Sequence, residues 1–206
     1  DGASLGQMSA IAYHFAVKLR QELDVPVGIL NTASGSSSIY AWLSRSAIDG
    51  CEEVKSYLQG SAQYITEANW NKQGENNFNQ MSSLFNQKIA PLTELNISGV
   101  IWHQGETNSK DAKGSYTNAL ELLLRDYSAR FRFAEDSMPF IYCHISPEIY
   151  NGGSTTHDQL GYFAEDMSAF WAAHPNTTAQ CTTYDLPTAY DYNTFLPGVD
   201  GVAACH

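Results

Sequence analysis

A chain of 206 residues with 43% hydrophobic and 16% charged residues can bury a sizeable core and is too apolar to be a disordered segment. Eleven Lys and Arg against 22 Asp and Glu give a net charge of -11, which repels phosphate backbones and argues against a nucleic-acid partner. No run of about 18 apolar residues is present to span a membrane.

The chain starts "DGASLGQ", which reads as a cut and not as a native start or a signal peptide. Residues 4–23 read as a helix, because Leu5, Met8, Ala12, Phe15 and Leu19 keep the three-to-four spacing of one buried face. "VPVGIL" (25–30) is a short apolar run of the kind found in a buried strand. It leads into the small-residue loop "NTASGSSS" (31–38), and "IYAWLSRSAI" then opens a helix. Residues 50–77 are polar and mixed, a helix followed by the loop "NKQGENN". "FNQMSSLFNQKIAPL" (78–92) reads as a helix stopped by Pro91.

"SGVIWHQ" (98–104) is the next buried strand. Residues 114–133 form a helix with Tyr116, Leu120, Leu123, Tyr127 and Phe131 on one side. "PFIYCHIS" (139–146) is a strand, 157–173 a helix and "TAQCTTYDL" (178–186) a strand. From residue 187 onward no period is present and the chain reads as loop. Strands alternating with helices predict an α/β fold, a parallel sheet with helices on both faces.

Ligands of such sheets bind outside the carboxyl ends of the strands. "VGIL" delivers "NTASGSSS" to that end, and "VIW" delivers "HQGETN". Gly, Ser, Asn and Gln supply uncharged donors, and a glycine lets a backbone N–H approach a ligand closely. Donors converging at a strand end suit an oxyanion hole. The same residues equally suit tight turns and helix caps. The four cysteines, Cys51, Cys143, Cys181 and Cys205, include no close metal-type pair. Cys143 and Cys181 lie in strand-like runs and read as buried thiols. Sequons at Asn96 and Asn176 permit glycosylation. Few charges, with 12 Tyr and 4 Trp, suit a secreted protein that handles neutral or sugar-like ligands, although most such aromatics fill cores.

Two blocks carry a resemblance. "VPVGILNTASGSSSIYAWLS" and "GVIWHQGETNS" resemble the second block and the Gln-Gly-Glu block of the sialate O-acetylesterase-like family of SGNH hydrolases. The helix ending in "APL" and the pair "YTNALELLLRDYSARF" and "MPFIYCHISP" are similar to the elements around them, in the right order over about residues 8–186. The resemblance implies a flavodoxin-like sheet and a secreted, periplasmic or lysosomal serine esterase that removes acetyl groups from sugars such as sialic acid or plant polysaccharide. No cofactor is expected, and no His/Asp/Glu cluster has the spacing of metal ligands, so no metal is expected either.

By position, Gly35 matches the glycine of the second block and Gln104 the amide donor to the oxyanion. Asn31 and Glu106 match residues that shape the site, with Glu106 holding loops together. His144, after its strand, is placed as a substrate contact. Ser36 and Tyr40 depart from the family's usual Gly and Glu, and His103 stands where the family has an aromatic residue.

The family's nucleophile belongs to a Gly-Gln-Ser-Asn block that this chain lacks. Ser9, in "LGQMSA", lies inside a helix with no strand before it, and the serines at 34, 36, 37 and 38 sit in the donating loop. The nucleophile is therefore expected outside the chain, either before residue 1 or on a companion segment. Residues 1–206 then read as one esterase domain truncated at its N-terminal end and cut close to His206, which is placed as the catalytic base. The usual acidic partner of that base is replaced by Ala203 and Ala204, which leaves Asp200 or a backbone carbonyl to orient it. A non-catalytic carbohydrate-binding or structural fragment is the competing reading. A nucleotide-binding domain is disfavoured because no Lys or Arg follows "ASGSSS" until Arg45.

Overall fold

Nine of the sixteen residues of the helix Ser115–Arg130 are buried, and Tyr116, Leu120, Leu123 and Tyr127 among them keep the spacing read from the sequence. This helix organises the fold. The structure, a computed structural model, describes residues 9–70, 77–145 and 157–182. The chain divides into two compact units, one of residues 1–33 with 184–206 and the other of residues 34–183.

The first unit contributes helix α1 (Ala10–Leu23), with Ser9 at its N-cap accepting from the Ala12 N–H at 3.4 Å. Asp24 ends it in the left-handed conformation, its N–H returning to the Arg20 carbonyl. Residues 25–30 form no strand in the structure. Val25 and Leu30 are about half exposed, at 47% and 50%. A six-residue apolar run signals burial, but a strand also needs a ladder partner, and none pairs with it among the described residues.

In the second unit, a 3-10 turn (Ile39–Ala41) precedes α2 (Arg45–Asp49), α3 (Glu52–Gly60) and α4 (Glu67–Trp70). Ser44 caps α2 and also reaches Asp126 of the long helix, donating through its N–H and its hydroxyl at 2.9 Å each. The expected helix over 78–92 is a short irregular stretch, a π turn (Phe85–Ile89) and then a 3-10 turn (Ala90–Leu92). Pro91 has no N–H to continue an α-helical ladder, so the turn width changes there.

Strand β1 (Val100–Trp102) is followed by a 3-10 turn (Glu106–Asn108) and α5 (Ser115–Arg130). Strand β2 (Phe140–Cys143), α6 (His157–Ala173) and β3 (Thr178–Cys181) follow. The strands pair in parallel in the order β1-β2-β3, with Trp102 opposite Tyr142 and Cys143 opposite Cys181. This is the parallel α/β fold that the strand–helix alternation predicts.

Alternation sends Trp102, Phe140 and Tyr142 to one face. There Trp102 donates to the Tyr116 hydroxyl at 3.2 Å, and Tyr142 donates to the Met167 carbonyl at 2.6 Å. Phe170 of α6 packs against both Phe140 and Tyr142. The opposite face carries Ile101, Ala179 and Cys181, all exposed. Asp166 of α6 accepts the Gly114 N–H at 2.8 Å, which fixes the start of α5 to α6.

Candidate active site

Two loops meet at the carboxyl end of β1, residues 34–38 and residues 103–111. They are joined by side chains, and Gln104 and Asn108 are central. The Gln104 amide donates to the Ser37 carbonyl and to the Asn108 side-chain oxygen, both at 2.8 Å. Its own oxygen accepts from the Tyr116 hydroxyl at 2.8 Å. Asn108 accepts the Ile39 N–H at 2.9 Å and donates to Ser38 Oγ at 3.1 Å and to Asp111 at 2.8 Å. Ile39 needs an acceptor and Asp111 needs a donor, so the Asn108 amide has one sensible orientation.

Asn79 ties the loop from another side. It accepts the Ser38 N–H and donates to the Ser36 carbonyl, each at 2.7 Å. Within the loop, Ser37 Oγ donates to the Ser34 carbonyl at 2.8 Å and accepts from the Trp42 indole at 2.9 Å. Buried polar atoms must be paired, and this network pairs them without any free charge except Asp111.

Asp111 also accepts from the Tyr40 hydroxyl at 3.3 Å. Burial pushes its carboxyl above the ordinary range, opposed by hydrogen bonds from Asn108, Tyr57 and Tyr40. Burial likewise raises Tyr57, to about 12, and Tyr40 well above its ordinary value, with the Asp111 charge adding to both. Both phenols are neutral donors at any physiological pH.

Gly105 carries the chain between Gln104 and the 3-10 turn. A Cβ there would lie 2.6 Å from Phe163 and 2.8 Å from Ile145, well inside contact distance, so packing alone demands glycine at this position.

The tip of the 34–38 loop differs. Gly35 and Ser36 are exposed. Among the described residues their N–H groups have no hydrogen-bond partner. Ser36 holds φ at 58°, a left-handed conformation that glycine adopts without cost. That accounts for the glycine the resemblance leads one to expect here. Gly35, by contrast, has open space where a Cβ would go.

The sequence-predicted site residues fall in different places. Gly35, Ser36 and Gln104 share this assembly. Both N–H groups of Gln104 are already committed, so the side chain braces the loop. The Glu106 carboxylate has no hydrogen bond among the described residues, and the bracing expected of it is done by Asn108 and Asp111. His144 is 3% exposed and shares a 2.8 Å hydrogen bond with Gln180, stacked on Tyr142. Asn31, in the other unit, accepts the Ala33 N–H at 3.2 Å in a local turn. His206 and Asp200 lie outside the described residues. Sequence reading passed over Asn108, Asp111, Asn79 and Tyr116. The visible signal was the Asn three positions after Gly105, at the end of the same block.

Residues 6–167 match the model of the family described as carbohydrate esterase, sialic acid-specific acetylesterase. The chain belongs to that family. Sialate O-acetylesterases from Pongo abelii and Homo sapiens are each 30% identical to it over 124 residues, 60% of this chain and 22% of theirs. A crystal structure of a carbohydrate acetylesterase from Xanthomonas citri superposes with a TM-score of 0.68 at 26% identity, over 92% of this chain and 37% of that one. The chain therefore spans under a third of the length of the human and orangutan acetylesterases and under two fifths of the bacterial one. Both loops of the braced assembly lie inside the family match, and the match ends within α6.

Proposed function

We propose that this chain forms part of a carbohydrate O-acetylesterase, which hydrolyses acetyl esters on sugars such as sialic acid or plant polysaccharide by a serine mechanism. The observation that carries the reading is the loop tip. Two adjacent N–H groups, at Gly35 and Ser36, stand exposed on a loop whose base is locked by Gln104, Asn108 and Asn79. Fixed donors that need no reorganisation are what stabilises the oxyanion of an acyl-transfer intermediate. In this reading the Gly35 and Ser36 N–H groups receive the acetyl carbonyl oxygen. Gln104 and Asn108 hold the loop for them, and His206 is the base.

The nucleophile is a serine outside the braced assembly. Ser37 and Ser38 are buried, at 4% and 6% exposure, and their hydroxyls are engaged, while Ser9 caps α1. The missing Gly-Gln-Ser-Asn block points to a segment outside residues 1–206, continuous with the chain or separate from it, as the source. An extracytoplasmic setting is in keeping with the exposure of both sequon asparagines, Asn96 and Asn176.

The test is acetate release from O-acetylated sialic acid and from acetylated xylan, together with fluorophosphonate labelling and mapping of the labelled peptide. The proposal expects little acetate and no label from residues 1–206 alone, and acetate release with a label on the added serine once a version extended at its amino end is used. A label on Ser9 or on any of Ser34, Ser36, Ser37 and Ser38 would place the nucleophile inside this chain, and sugar binding with neither acetate nor label in the extended version would replace the proposal with the non-catalytic carbohydrate-binding reading.

A further inference from the structure

Cys143 and Cys181 end β2 and β3 and are register partners in the parallel ladder. In-register residues of neighbouring parallel strands point to the same face, so the two thiols stand side by side. They lie on the face of Ile141 and Ala179, opposite the one that Tyr142 and Phe140 fill. Both are thiols in the structure, Cys143 buried and Cys181 exposed.

Neighbouring strands run about 4.8 Å apart, which falls inside the Cα window of a disulfide, about 4.4–6.8 Å. The Cβ atoms must close to about 3.8 Å, a movement of about 1 Å. β3 is a four-residue strand at the edge of the sheet among the described residues, and Cys181 is its last residue, so this rung lies at the end of the ladder. Its backbone stays in register because the His144 N–H donates to the Cys181 carbonyl at 2.8 Å. Cys51 is engaged elsewhere, its Sγ donating to Glu53 at 3.3 Å.

We propose that Cys143 and Cys181 form a reversible disulfide by exchange with a small-molecule disulfide such as oxidised glutathione. The Cys181 thiolate, being exposed, attacks one sulfur of the small disulfide. A protein–glutathione mixed disulfide forms and one glutathione thiolate leaves with the proton that Cys181 gave up. The Cys143 thiolate then attacks the Cys181 sulfur. The Cys143–Cys181 bond forms, the mixed disulfide breaks, and the second glutathione leaves with the proton from Cys143. Two protein thiols are oxidised and one small disulfide is reduced to two thiols. The product clips together the strand ends that carry His144 and Gln180, which share a 2.8 Å hydrogen bond. This inference does not depend on the esterase reading.

The experiment equilibrates the whole chain in glutathione buffers of increasing oxidised fraction, quenches it in acid, alkylates it and maps the peptides. One linked pair of peptides, containing Cys143 and Cys181, is expected. The ratio of alkylated to linked Cys181 should fall tenfold for each rise of about 30 mV in poise, as a two-electron couple requires. Cys51→Ser should leave the link unchanged. Cys143→Ser should stop Cys181 at the glutathione adduct, and Cys181→Ser, at an exposed position, should abolish the link in a folded protein. Alkylation of Cys181 at every poise would overturn the proposal. So would a link from either residue to Cys51 or Cys205. The readout is mass alone, so an absence of acetylesterase activity has no bearing on it.

Discussion

Ser37 and Ser38 are buried and held by bonds to Trp42, Asn79, Asn108 and Ser34. Gly35 and Ser36, one or two residues earlier, are exposed and offer N–H groups without partners among the described residues. The base of the loop has spent its hydrogen-bonding capacity on the protein, and the tip has kept two donors for something else. A rigid base lets such donors hold one geometry without a ligand, which is the condition for electrostatic preorganisation. The two parts should respond to mutation in opposite ways, stability at the base and function at the tip.

The largest effect is expected at the base. Asn108→Ala removes the acceptor of the buried Ile39 N–H and of one Gln104 N–H. Two buried donors left unpaired cost about 3 kcal/mol, to be read as a lower urea midpoint at unchanged slope. A change below about 0.5 kcal/mol would mean that water replaces Asn108 and that the base is not locked. Gly105→Ala comes next. Its methyl meets Phe163 at 2.6 Å and Ile145 at 2.8 Å, and overpacking of this kind costs about 2 kcal/mol. Trimming Phe163 to Leu in the same chain should recover part of the loss, which a purely backbone effect would not allow.

The contrast between base and tip was only partly legible in the sequence. The long helix, the strand–helix alternation and the two loops were readable, because apolar periodicity reports burial directly: Tyr116, Leu120, Leu123 and Tyr127 are all buried on α5. The run at 25–30 misled because apolar composition cannot say whether a ladder partner exists. Gln104 reads from the resemblance as an amide donor to the ligand, and in the structure both of its N–H groups go to Ser37 and Asn108. Which of its hydrogens are already taken depends on Ser37 and Asn108, 67 residues and four residues away in the chain, and no local pattern encodes that. Glu106 and Asn108 sit two apart in one block. Which of them turns inward is decided by the 3-10 turn that starts at Glu106, a backbone detail invisible to spacing. The left-handed Ser36 was visible only as a departure from the glycine that the resemblance leads one to expect.

Asp111 gives a smaller and pH-dependent effect. Its carboxyl is raised in the folded state by burial. A raised carboxyl contributes its stability below its unfolded value of about 4 and loses it as pH rises through the folded value. Asp111→Asn removes that loss. The stability of the wild-type protein relative to the variant should therefore decline as pH rises out of the ordinary carboxylate range and then level off. Urea midpoints taken at several pH values check this, and a difference that is flat with pH would show that Asp111 titrates normally. Ser36→Gly should act the other way on stability. It relieves a left-handed conformation worth about 1 kcal/mol and leaves the Asn79 bond to the residue-36 carbonyl in place. A destabilised variant would mean that the Ser36 side chain contributes more than its backbone costs.

Gly35→Ala is expected to change stability least and is the sharpest test of the tip. The added methyl meets no atom within 4 Å and the backbone is not in the left-handed region, so the melting temperature should hold and ΔΔG should stay within about 0.5 kcal/mol. Stability thus gives no reason for a glycine here, whereas it gives a full reason at Gly105. If the Gly35 N–H must approach a carbonyl oxygen, a methyl beside it hinders that approach, and acetyl-ester turnover, measured with the serine-bearing segment present, should fall about tenfold or more in kcat/KM. Loss of turnover at constant stability would place the reacting oxygen against the tip. Full turnover would move the oxyanion donors elsewhere, and the two unpartnered N–H groups would then simply be hydrated parts of a turn.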